Sequence, residues 1–315
     1  MKSKSIWLIP ILGILVFAAF ASAQMGEGRA IVTILPKKAN QTAPAVQGND
    51  IGVKVDGKQA KVTVWRQLNQ PGDRIELVLL IDSAARTSLG TQLNDLEAFV
   101  RHLPPNTVAN VGYMDYGRAT FVGSFTADGN TLVNMLHLPA GPPGANASPY
   151  FSLSDLAKRW PSQDTNVRRI AVMITDGVEP YFSGIGIENP YVKTSMDDVA
   201  RAGIVVYSIY WKDKGRLDQF TMAQDYGQNQ LSALTESAGG RDLWTGFGDP
   251  VSFSPYFDDL MRMLRNQYEL RFTVPLKKKA DVENMRLKLS APGSQVIAPV
   301  EVYITPAPVA LENTK

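Results

Sequence analysis

The chain has no cysteine and only two histidines in 315 residues. Without thiols it has no disulfides, thiolate metal sites or cysteine nucleophile, and no cysteine to carry a lipid anchor. The histidines, His102 and His137, fall at helix ends away from any candidate nucleophile. Histidine-dependent triad or acid–base catalysis therefore has little to stand on, and the chain is expected not to be an enzyme. Phosphate-cradling motifs are missing too. There is no GxxxxGK[ST] loop, and Gly184 and Gly186 lack both the preceding strand and the third glycine of a dinucleotide fingerprint. Nor is there a surplus of charge, since 32 basic residues face 30 acidic ones.

What is present begins with a leader. Lys2 and Lys4 precede the apolar block Ile6 to Phe20, and Ala21-Ser22-Ala23 puts small residues where a signal peptidase reads. Residues 1–23 are expected to be a signal peptide cut after Ala23, giving a secreted or periplasmic protein. The other reading, an uncleaved anchor, is disfavoured because the block is short for a membrane span. Removing Lys2 and Lys4 from the 32 basic residues leaves 30 against 30 acidic, a formally neutral mature chain. That argues against a nucleic-acid partner or an anionic membrane surface.

The chain is organised around Ile75 to Ser88, IELVLLIDSAARTS, an apolar run that stops at Asp82. Arg169 to Glu179, RIAVMITDGVE, repeats the pattern and stops at Asp176. Continuous apolar runs of this length suit strands buried on both faces, as in a parallel sheet. Between and after them strands alternate with helices, including Ile204 to Trp211 as another buried strand. Leu89, Leu93, Leu96, Val100 and Leu103 share a helical face ended by Pro104 and Pro105, and Asp128 can cap the next helix. Ser152 and Asp155 are spaced as a capping box, and Ser254-Pro255 as a cap followed by proline at the first helical position.

The flanks have a different period. Ile51, Val53 and Val55, then Ala60, Val62 and Val64, alternate around Asp56-Gly57, a hairpin signal. Alternation by two returns at Tyr268 to Val274, Met285 to Leu289 and Val300 to Ile304. Neither end of the chain can bury a face without the other. The expected class is therefore α/β, with a doubly wound, mostly parallel sheet carrying a small β-sandwich made by both termini. In chain order this gives an N-terminal β segment over 24–72, the α/β domain over 73–265, a C-terminal β segment over 266–305 and a flexible tail over 306–315.

The strand ending in Asp82, the ITDG strand end and the helix–strand alternation from Ile75 to Leu264 resemble the von Willebrand factor type A domain. The flanking β segments look like the secreted bacterial branch of these proteins. The resemblance implies adhesion-type binding of another protein at the carboxyl edge of the sheet. It also implies a metal-ion-dependent adhesion site with Mg²⁺, held by D-x-S-x-S after the first strand, a loop threonine and an aspartate after the fourth. In this chain those positions correspond to Asp82, Ala84, Arg86, Ser148 and Asp176, so Asp82, Ser148 and Asp176 keep an oxygen and two positions do not. The site is degenerate by this reading. Arg86 would place a guanidinium where the cation sits, pairing with Asp82 or Asp176.

Other features have a plain reading beside the functional one. Glu179 can rim the crevice as a ligand contact beside Arg86, although an exposed loop carboxylate is the plainer account. Tyr181, Phe182, Tyr191 and Tyr226 can anchor a partner or pack under loops. Lys277 to Lys279 suits a solvated turn. The alternative to an adhesion module is a structural subunit of a cell-envelope assembly with a vestigial metal site.

Overall fold

A computed structural model describes residues 24–38, 41–42, 44–85, 87–139, 148–182, 189–212, 221–246, 248–276 and 279–307. The leader expected over 1–23 lies outside them, as does Arg86 and nearly all of the expected tail. Among the described residues no helix is long and apolar enough to cross a membrane.

The chain begins with a twelve-residue strand, β1 (Met25–Pro36), followed by the hairpin β2 (Ile51–Val55) and β3 (Lys58–Gln67). Asp56 and Gly57 turn that hairpin, both at positive φ. The central strand β4 (Ile75–Asp82) is buried along its whole length. After it come α1 (Leu93–Arg101), β5 (Thr107–Asp115), β6 (Arg118–Phe121) and α2 (Gly129–Met135), the last capped by the Asp128 carboxylate. Next are α3 (Pro149–Lys158), β7 (Arg168–Thr175), α4 (Pro190–Ala202), β8 (Ile204–Tyr210), α5 (Thr221–Ser237) and α6 (Ser254–Arg265). The chain returns through β9 (Gln267–Pro275), β10 (Asp281–Leu289), β11 (Ser294–Ile297) and β12 (Glu301–Pro306).

Two sheets result. One has the order β6-β5-β4-β7-β8, with β4 parallel to β5 and β7, β7 parallel to β8, and β6 antiparallel to β5. Leu77, Leu79 and Ile81 of β4 pack towards α1, α2 and α6, while Val78 and Leu80 pack towards α3 and α4. The other sheet closes on itself as β1-β12-β10-β2-β3-β9, because β9 pairs with β1 as well as β3. Strand β11 adds to the far half of β1.

The expected fold class is therefore corrected. Among the described residues eight of the eleven strand pairings are antiparallel. The larger sheet is a closed six-stranded antiparallel barrel instead of a sandwich, and the smaller is a mixed sheet in which three of four pairings are parallel, so a doubly wound, mostly parallel sheet does not define the molecule. Alternation by two shows which face of a strand is buried, but it does not tell two facing sheets from one sheet curled round its own core. The length of β1 decides between them. It pairs with β9 from Met25 to Thr33 while its other edge serves β12 and then β11. Gly26 and Gly28 allow the curvature, since a Cβ at Gly28 would lie 2.4 Å from the Phe272 ring and one at Gly26 2.6 Å from Ile304.

The barrel joins the mixed sheet through buried charge. The Arg168 guanidinium, at the start of β7, donates to the Leu264 and Asp73 carbonyls and to Gln267 Oε1, each at 3.0 Å. Glu269 on β9 is 3% exposed and is bonded by Arg29, Arg66 and Arg271 at 2.8 to 3.0 Å. Burial by itself would raise this carboxyl's pKa, but the hydrogen bonds and charges of Arg29 and Arg271 outweigh it and hold the pKa low.

Candidate functional site

The carboxyl ends of β4 and β7 meet because the strands are parallel and in register, Ile81 opposite Ile174. The next pair along is Asp82 and Thr175, both buried. The Thr175 hydroxyl donates to Asp82 Oδ2 at 2.6 Å, and Ala84 N donates to Oδ1 at 2.8 Å. Sequence reasoning set Asp82 against Asp176. Thr175 also bonds Asp82 directly, because alternation along β7 gives the residue before Asp176 the face that meets the end of β4. The signal lay in the ITDG stretch, where Thr175 was passed over for its charged neighbour.

Asp176 opens a tight loop. Its Oδ1 accepts from Val178 N at 2.9 Å, and Gly177 takes a left-handed φ of 69°. A side chain cannot fit there, since a Cβ on Gly177 would lie 2.5 Å from the Gly227 carbonyl of α5. Helix α5 thus presses its Gly227 backbone against this loop, where a Cβ on Gly227 would approach the Asp176 carbonyl to 2.3 Å.

From the other side, α3 enters through Ser148, its N-cap, whose Oγ accepts from Phe151 N. This corrects the capping box expected at Ser152 and Asp155, which lie inside the helix. The Ser148 hydroxyl donates to Glu179 Oε2 at 2.5 Å, and Glu179 Oε1 accepts from Tyr181 N. Glu179 is 4% exposed, so the expectation of an exposed loop carboxylate is corrected; its partner Ser148 is itself buried. Tyr150, also missed from sequence, is buried beneath and donates to the Gly177 carbonyl at 2.9 Å. Burial, with Asp176 and Glu179 nearby, pushes its phenol well above the usual range, so it stays a proton donor.

Asp82, Ser148, Asp176 and Glu179 thus gather at one sheet edge, while Arg86 lies outside the described residues. The donor set does not fit an octahedral Mg²⁺. Ala84 puts a buried methyl where a hydroxyl ligand would stand, position 86 is an arginine where the second would stand, and no group of three His, Asp or Glu side chains placed to hold an ion occurs among the described residues.

Aromatic rings rim the crevice. Phe151 meets Tyr181 edge to face at 6.0 Å and Tyr191 at 4.6 Å. Tyr181 is 54% exposed, and Tyr116 on the β5–β6 turn is 66% exposed. The two histidines are remote: His102 bonds the Ala98 carbonyl on α1, and His137 stacks on Tyr113.

No family model and no curated protein matches this chain. Among solved structures it is similar to the pilus adhesin SpaC from Lactobacillus rhamnosus GG, at 11% identity over 86% of this chain and 48% of that one, with a TM-score of 0.43. It is also similar to the vWF domain of the type V pili tip protein Mfa5 from Porphyromonas gingivalis, at 9% identity over 61% of this chain and 95% of that one, with a TM-score of 0.39. A third is proximal thread matrix protein 1 from the mussel byssus with a zinc-occupied MIDAS motif, at 12% identity over 68% of this chain and 50% of that one, with a TM-score of 0.38. The chain spans about half the length of SpaC and of the byssus protein. Overlaps this loose carry no functional argument.

Proposed function

We propose that this chain is an exported protein-binding module of the adhesion type, a binding protein and not an enzyme, which engages another protein at the carboxyl edge of β4 and β7. One observation carries the reading. An internally hydrogen-bonded crevice at that edge stands beside a cluster of aromatic rings in which Phe151 and Tyr181 are exposed and Tyr191 is partly buried. Exposed aromatics over a fixed scaffold are the usual anchors of protein interfaces. The resemblance of the Asp82 and Asp176 strand ends to type A domains agrees with it, and the leader expected over 1–23 agrees with a secreted or periplasmic location. Because the donors do not fit Mg²⁺, partner binding is expected to be indifferent to chelation. Arg86 would then supply the positive charge that an acidic group on the partner meets.

The test is photo-crosslinking from position 181 in the native envelope, followed by identification of the captured protein and titration of the purified pair. A partner held with and without EDTA, and weakened at least about tenfold by Tyr181→Ala, agrees with the reading at the size expected of an interface anchor. A partner lost in EDTA, or held equally by Tyr181→Ala and Phe151→Ala, overturns it. The second reading, a structural envelope subunit, is favoured by the internal pairing of Ser148 with Glu179 and of Thr175 with Asp82. It predicts a complex that survives purification in high salt and ignores these substitutions.

A further inference from the structure

We infer that the groove between the barrel and the amino edge of the mixed sheet is a binding site for a small multivalent oxyanion, a polycarboxylate or a phosphate compound. The groove holds about 430 Å³, within the range of small-molecule sites. It lies where β7 begins and α4 ends, at the opposite end of the parallel strands from Asp82. Arg29, Arg169, Arg201 and Arg271 line it, and Glu27 is the one carboxylate among its lining residues.

The guanidinia are held in place. Glu269 Oε1 takes both Arg29 Nε at 2.8 Å and Arg271 Nε at 3.0 Å, while its Oε2 is occupied by Arg66. One buried carboxylate therefore fixes three arginines and leaves positive charge uncompensated, although Arg66 has Asp73 as a second partner. Arg29 is further fixed by the Thr165 and Asn166 carbonyls. Arg169 donates to the Ala202, Ser162 and Asp164 carbonyls and lies over the Trp160 ring, and its buried Nε has no partner. Arg201 reaches from α4 with ion pairs to Asp198 and Asp281 at 3.7 and 3.9 Å, both longer than hydrogen bonds.

Guanidinia locked in orientation by these partners keep N–H groups the partners do not use, and such fixed charged donors suit planar or tetrahedral oxyanions. The crowding of like charge favours a ligand carrying more than one negative charge, and the size of the groove favours a small one. Tyr303 and Thr305, also on its wall, can add hydroxyl donors.

The experiment is titration calorimetry of the full chain with pyrophosphate and, separately, with citrate, at matched ionic strength against chloride. At least one should bind with one-to-one stoichiometry and a Kd of about 0.1 mM or tighter. The Arg201→Gln variant, which removes a half-exposed side chain with no hydrogen bond, should fold normally and bind at least about tenfold more weakly. Binding of pyrophosphate alone assigns a phosphate ligand, of citrate alone a carboxylate, and of both the shared oxyanion chemistry. No binding of either, chloride competing equally at the same ionic strength, or unchanged affinity in both Arg201→Gln and Tyr303→Phe overturns the site.

Discussion

The barrel and the mixed sheet keep their polar groups in opposite places. In the barrel the interior is apolar, with Val32, Ile34, Leu270, Phe272 and Ile304 filling it, and charge is held outside at the junction around Glu269. In the mixed sheet both faces are mainly apolar, although Asn110 and Ser208 are buried within strands, and polar groups gather at the carboxyl strand ends, where Asp82, Thr175 and Asp176 have been buried by loops and helices packed over them. A closed barrel has few edges to finish, whereas parallel strands all end on one side and leave backbone and side-chain polar groups there together. The molecule's chemistry is thus concentrated at a sheet edge and at a seam, and the two should respond differently to mutation.

The largest effect is expected at the seam. Glu269→Ala would leave Arg29, Arg66 and Arg271 without their buried carboxylate and should cost about 3 to 5 kcal/mol in urea unfolding. A loss confined to the barrel, seen by local hydrogen exchange, would break the view that the seam couples both units. Next is Gly177→Ala at the sheet edge. It combines a left-handed φ with a clash against Gly227 and should cost about 2 to 3 kcal/mol, with exchange protection lost first in α5.

A pH effect distinguishes the units further. Asp242, bridged to Ser208 at the side of β8, is pushed by burial from the ordinary 3.8 to about 6, with its hydrogen bonds pulling the other way. A raised carboxyl pKa means the folded state binds the proton more tightly. Its contribution, about 3 kcal/mol, is therefore present below about pH 4 and is lost as pH rises through about 6. Glu269 has the opposite sign, because its lowered pKa contributes stability that disappears as pH falls through the acid range. The Asp242→Asn variant should flatten the stability profile between pH 4 and 6 while leaving the acid limb set by the seam unchanged. A profile identical to the parent would show that Asp242 does not titrate in that window.

The smallest effect is expected for Thr175→Val, which removes the hydroxyl on Asp82 Oδ2 and should cost about 1 to 2 kcal/mol. A loss of partner binding larger than the loss of stability would sharpen the assignment of this edge as the binding face.

How much was legible can be judged residue by residue. The Asp128 cap of α2 and the hairpin at Asp56-Gly57 stood in local sequence, since their partners lie within a few residues. The cap of α6 did not. Ser254 looked like the cap, but the Phe253 and Ser254 amides are taken by the Asp95 carboxylate of α1, which no local window contains. Glu179 shows the same limit, because the helix start at Ser148 is what buries it.

The sequence by itself determined where strands are buried on both faces, where they end in acidic residues, and which flanks must combine, because those follow from hydrophobic period and turn chemistry along the chain. Only the tertiary structure decided that the flanks close into a barrel, that Asp82 is bonded by Thr175, and that four arginines from distant segments line one groove. Each of these depends on register and packing between segments far apart in the chain. Side-chain periodicity orients a residue within its own strand and leaves its neighbour across space to be chosen by the fold.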